Sequence, residues 1–178
     1  MTDWIKASNP ATPITTEADA IAAARASAIA IFLGAVWGIV GLVYMMTAGS
    51  GALEAAAAQA AADTPEMPGM ANVVTQAALW MGIGLTVVQL IIGFVQWAKP
   101  NIVIPIIFVI LVAFGLVTGV FGLVMAGQPE MAAAAAQTPM WQTVIGFVIL
   151  AVQLVMHIAG IRGANKLDKI RMAAAQDY

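Results

Sequence analysis

Long apolar runs separated by short polar punctuation dominate the chain. Four of them, Ala26–Ala48, Val73–Ala98, Ile102–Ala126 and Met140–Ile161, are almost free of charge. A helix needs roughly 20 apolar residues to cross a hydrocarbon core of about 30 Å, so each run predicts a transmembrane helix. Gly34–Tyr44 carries no charge, and between Lys99 and Arg162 the only ionisable side chains are Glu130 and His157. Pro105 falls in the first turn of the third span, where its missing N–H is tolerated. Lys99-Pro100-Asn101 alone joins spans two and three, which predicts a tight helical hairpin. Thr16 followed by Asp19 predicts a capping pair that opens the first helix before it reaches lipid.

Charge adds direction. Lys6, Arg25, Lys99, Arg162, Lys166, Lys169 and Arg171 are all of the basic residues, and with four spans they fall on one side. The opposite loops, about 49–72 and 127–139, hold Glu54, Asp63, Glu66 and Glu130 and no base. The positive-inside rule then predicts cytoplasmic termini and external acidic loops. An odd number of spans would scatter the bases over both faces. With 62% apolar and 9% charged residues, the chain could not cover a soluble surface with polar groups, nor stay disordered. The absence of cysteine removes disulfides, iron–sulfur ligation and thiol chemistry. The start of the chain lacks the cationic and apolar regions of a secretory signal. An Ala/Gly-rich, cysteine-free composition with a short N-terminal tail points to a bacterial inner membrane. The expected organisation is a cytoplasmic segment over residues 1–25, a first hairpin over 26–101, a second over 102–161, and a basic cytoplasmic tail over 162–178. Tyr44, Trp97 and Trp141 suit the headgroup level; Trp4 either dips into the interface or sits on a mobile tail. Arg162–Arg171 reads as a basic helical extension drawn to anionic lipid.

The chain also repeats itself. Gly34-Ala-Val-Trp-Gly38-Ile-Val-Gly41-Leu42-Val43 and Gly115-Leu-Val-Thr-Gly119-Val-Phe-Gly122-Leu123-Val124 share G-x-x-x-G-x-x-G-L-V. Each half then enters an Ala-rich segment, followed by Thr64-Pro65 or Thr138-Pro139. Spans two and four share a glycine six residues before Val-Gln-Leu: Gly82 with Val88-Gln89-Leu90, and Gly146 with Val152-Gln153-Leu154. The expected fold is all-α: a polytopic membrane protein whose four transmembrane helices form two tandem repeated hairpins. With two spans per repeat, the halves should be related by a pseudo-two-fold axis along the membrane normal. Leu53–Ala62 is expected to form a short external helix, with Pro129 starting its counterpart.

Gly34, Gly38 and Gly41 lie on one helix face, as do Gly115, Gly119 and Gly122, and such stripes let backbones approach closely in lipid. They are read as helix-packing surfaces within the bundle. Gly82, Thr86, Gln89, Gly93 and Gln96 form a polar seam on span two; Gln142, Gly146, Gln153, His157 and Gly160 nearly share a face of span four. An unpaired amide in hydrocarbon is costly, so Gln89, Gln96 and Gln153 are read as buried polar groups, either interhelical glue or the lining of a hydrated path. His157 is the only histidine. It is a possible haem or pigment ligand, set against a packed ring bonded to Gln153. Several methionines lie near the outer surface and could bind Cu(I), but they read better as apolar fillers; no metal site is expected.

No span carries an interior Asp, Glu or Lys, and there is no nucleophile–base set or phosphate loop, so no enzyme is expected. The expected role is a non-catalytic accessory or scaffolding subunit acting through helix contacts in a larger membrane complex. A small channel or facilitator with a Gln-lined path is one alternative, and haem or pigment binding through His157 is another. Membrane lipids and protein partners, or a second copy, are the expected contacts. Nucleic acid is not, and no cofactor is predicted.

Overall fold

A computed structural model describes residues 3–51, 70–126, 128 and 139–176, with single positions at 54, 58 and 62. Among the described residues every regular element is helical: α1 (Trp4–Ser8), α2 (Glu17–Met46), α3 (Met70–Ala98), α4 (Val103–Met125) and α5 (Met140–Gln176). Four of these, α2 to α5, contain stretches long and apolar enough to cross a membrane. The chain is therefore a helical, multi-pass membrane protein.

The helix boundaries follow local chemistry. Thr16 and Asp19 form a capping box, each side chain taking the other's backbone N–H. Asp3 caps α1 by accepting the Lys6 N–H at 3.0 Å. At the α3–α4 turn, Asn101 Oδ1 accepts the N–H groups of Val103 and Ile104, both at 3.0 Å. Pro105 sits in the first turn of α4, where the helix loses nothing by it. Helix α5 runs unbroken for 37 residues, about 55 Å at 1.5 Å per residue, so it continues far beyond the lipid as the basic extension. Positions 54, 58 and 62 are helical; the rest of the expected Leu53–Ala62 helix, and the segment at Pro129, lie outside the described residues.

Helix α2 is the hub. It packs against α5 and α3, and α4 packs against α5, giving the order α3–α2–α5–α4. The seam between α3 and α4 is loose, with a cavity of about 160 Å³ between Ile92 and Val95 on one side and Ile104, Ile107 and Phe108 on the other. Packing is also uneven along the bundle. The buried side chains of α2 lie between Ala20 and Ala35, and those of α5 between Gln153 and Leu167. Both sets sit at the end holding the basic residues. There the Ala-rich face of α2 meets Gly160 and Gly163 of α5. Small residues on both sides let the backbones approach, which supplies the contact that burial alone does not provide in lipid. Large apolar side chains such as Trp80, Phe114 and Val117 point outward, as lipid-facing groups do.

Two of the basic residues at this end make specific contacts. Arg25 Nε donates to the Trp97 carbonyl at 3.1 Å, its guanidinium 5.0 Å above the Trp97 ring. Arg171 pairs with Glu17 at 3.1 Å. Trp4 rests on Trp97 with ring centroids 5.6 Å apart, so α1 is docked across the helix ends.

Candidate functional site

Both polar stripes face α2. From α3, Gln89 Nε2 donates to the Ile31 carbonyl at 3.2 Å, and Gln96 Nε2 reaches the Ala24 carbonyl at 3.4 Å. From α5, Gln153 Nε2 donates to the Ala30 carbonyl at 2.9 Å. Gln96 does more: its Nε2 also donates to the Asn101 carbonyl at 3.1 Å, and its Oε1 accepts the Asn101 N–H at 3.3 Å. One side chain thereby ties the α3–α4 turn to α2. Thr86 turns back on its own helix, donating to the Gly82 carbonyl at 2.9 Å.

Gly34 explains how two amides reach the same turn of α2. A Cβ there would run into the Nε2 atoms of both Gln89 and Gln153. The glycine is the space those amides occupy. The two repeated stripes are used differently. Gly38 lies by Thr86 and Gly41 by Gln142, whereas Gly115 and Gly119 of α4 meet Leu150 and Phe147 of α5, and nothing described comes within 4 Å of a Cβ at Gly122. Gly82, Gly93 and Gly146 meet Leu42, Phe32 and Trp37 of α2. The closest approach between helix backbones lies outside both repeated stripes. A Cβ on Gly163 would press on the backbone of Ala23 and Ala24, and one on Gly160 would lie 2.5 Å from Ser27 Cβ. The sequence does carry a signal for it: Gly160-x-x-Gly163 opposite the small residues Ala20, Ala23, Ala24 and Ser27, spaced along one helical face.

His157 bonds to Ser27 rather than to Gln153, with Nδ1 2.8 Å from Ser27 Oγ. Its ring stacks on Phe108 at 5.3 Å. Nε2 is buried without a hydrogen-bond partner, and the residue has 0% exposure. The ring crosses from α5 to α2 because Ser27, small and hydroxylated, sits beneath Gly160 at the crossing. An axial-ligand role would need open space beyond Nε2, and the ring is enclosed.

A cavity of about 500 Å³ lies among all four spanning helices, bounded by Gly34, Trp37, Leu85, Phe108, Leu111 and Leu150, with Gln89 and Gln153 on its wall. Its lining is mainly apolar. Gln89 and Gln153 each give one amide N–H to an α2 carbonyl. Among the described residues no group of three His, Asp or Glu side chains is arranged to hold a metal ion. The chain matches no family model, no curated protein and no solved structure.

Proposed function

We propose that this protein is a non-catalytic accessory or scaffolding subunit of a larger membrane assembly, acting through helix–helix contacts. The observation carrying this reading is where the membrane amides direct their N–H groups: Gln89, Gln96 and Gln153 each donate to a main-chain carbonyl of α2. Here they hold helices together, in the manner of interhelical polar contacts in lipid. The loose α3–α4 seam fits the same role, because it leaves one edge of the bundle without a tight internal partner.

In this reading the chain is two tandem hairpins, residues 26–101 and 102–161, related by a pseudo-two-fold axis along the membrane normal. The order α3–α2–α5–α4 is compatible with such an axis, which would set α2 opposite α4 and α3 opposite α5. Under that symmetry the close α2–α5 edge corresponds to the open α3–α4 edge. The protein sits in a bacterial inner membrane, on its Ala/Gly-rich, cysteine-free composition, with both termini cytoplasmic, on the charge distribution of its loops. Extraction in mild detergent at native expression, followed by sizing, tests the role. Another membrane protein should co-elute in constant ratio; a lone four-helix particle would refute it.

A further inference from the structure

The cavity of about 500 Å³ among the four spanning helices is of a size that holds a small molecule, and its wall carries amide groups that the helix contacts leave unused. A glutamine amide offers two N–H donors and one carbonyl acceptor. Gln89 and Gln153 each give one N–H to α2, and among the described residues the second N–H and the Oε1 of each have no partner. Gln153 is 4% exposed, so these groups are not served from the protein surface. Both Nε2 atoms lie under 3.0 Å from the position a Cβ would take on Gly34, which brings the two amides to one spot. Bare amide groups in hydrocarbon are costly, and a single polar atom at that spot would satisfy both.

The surroundings say what that atom belongs to. From Arg25, which meets Trp97 at the basic end, to Gly34 is about 14 Å of helix, close to half of a hydrocarbon core of about 30 Å. A charged group at that depth loses its hydration for two neutral amides, which rules against an ion or a phospholipid head. The rest of the wall is apolar, with aromatic rings at Trp37 and Phe108. Access is lateral: Ile92 and Phe108 also border the hollow in the α3–α4 seam, and Leu85, Val88 and Leu111 on the cavity wall are each more than half exposed. A ligand that arrives through lipid, carries its polarity as uncharged carbonyls and presents a flat ring to aromatic walls meets all of these conditions. We propose that the cavity holds the ring of a lipid-soluble quinone, with one ring carbonyl accepting the free N–H groups of Gln89 and Gln153 and the tail leaving between α3 and α4. A plain hydrocarbon chain would leave both amides bare. The inference concerns binding; it rests on membrane embedding and not on the subunit role.

Equilibrium dialysis of the full chain in mild detergent against a decyl-substituted benzoquinone, with protein-free micelles as the blank, is the test. Decylbenzene is the comparison, since it keeps the ring and tail and lacks the carbonyls. One quinone per chain should be retained above the blank, in preference to decylbenzene. A hydrogen bond of ordinary net strength changes affinity about five-fold, so Gln89→Leu with Gln153→Leu should weaken quinone binding about 25-fold and leave decylbenzene unchanged. Leu111→Trp, which fills the cavity from its lipid-facing wall and keeps both amides, should weaken both probes, while Leu123→Trp, elsewhere on α4, should weaken neither. Quinone uptake no greater than the blank would overturn the proposal. Decylbenzene held as tightly as the quinone would make the cavity a hollow for any apolar chain and overturn it as well. So would unchanged quinone binding in either the glutamine double variant or Leu111→Trp.

Discussion

Replacing Gly163 with alanine adds one methyl group where two helix backbones meet. The new Cβ would lie 2.6 Å from the Ala23 carbonyl carbon and 2.8 Å from Ala23 Cβ, with the Ala24 nitrogen nearer still. Carbon atoms rest at about 3.5–4.0 Å, so the α2–α5 crossing must open by about 1 Å. The obstruction is backbone, which cannot rotate aside as a side-chain tip can. Overpacking of this kind costs about 2–3 kcal/mol, the upper part of its usual range. Alanine's better helix propensity offsets about 1 kcal/mol, leaving a net loss of about 1–2 kcal/mol. Gly122→Ala is the control: no described atom lies within 4 Å of its Cβ, so only the propensity gain remains. Unfolding in mixed micelles, followed by circular dichroism, should separate the two variants by about 2–3 kcal/mol. If both behave alike, the tight seam does not lie at Gly163 and the packing argument fails.

Other substitutions probe the polar contacts. Ser27→Ala leaves the buried His157 ring with neither nitrogen bonded and should cost about 1–3 kcal/mol; adding His157→Phe should recover most of that in thermal melts, since the Phe108 stack survives. Leucine at both Gln89 and Gln153 should cost about 0.6–1.7 kcal/mol for each interhelical hydrogen bond removed and leave any co-purifying partner in place on sizing; loss of a solute flux with folding kept would point instead to a lined path. Gln96→Leu should destabilise more than Gln89→Leu by denaturant titration, because it removes the bonds to Asn101 as well as the one to Ala24.

The spans, the capping pair at Thr16 and the tight turn at Lys99-Pro100-Asn101 are legible in the sequence, because each depends on neighbours within a few residues. The inward direction of Gln89, Gln96 and Gln153 is legible too, from the cost of a bare amide in hydrocarbon. Their partners are not. Main-chain carbonyls of α2 are chemically identical at every position, and only tertiary register selects Ala24, Ala30 and Ile31. His157 illustrates the same limit. Gln153 is one turn away and is the local choice, but Ser27, 130 residues distant, lies at the crossing. The repeated glycines draw attention by recurring. The closest backbone approach uses Gly160 and Gly163 against an alanine face that looks like mere composition until two helices meet there. The short α1 helix is set by Asp3 and by Trp4 resting on Trp97, and that second contact is again long-range.

The proposed topology puts Ser8 and Gln176 on the same side of the bilayer, and the lack of cysteine makes this directly measurable. Single variants Ser8→Cys, Gln128→Cys and Gln176→Cys, treated in intact cells with a membrane-impermeant maleimide, report each position separately. Labelling at Gln128 alone, with Ser8 and Gln176 reacting only after lysis, is the result the account requires. Ser8 and Gln176 responding oppositely would contradict it.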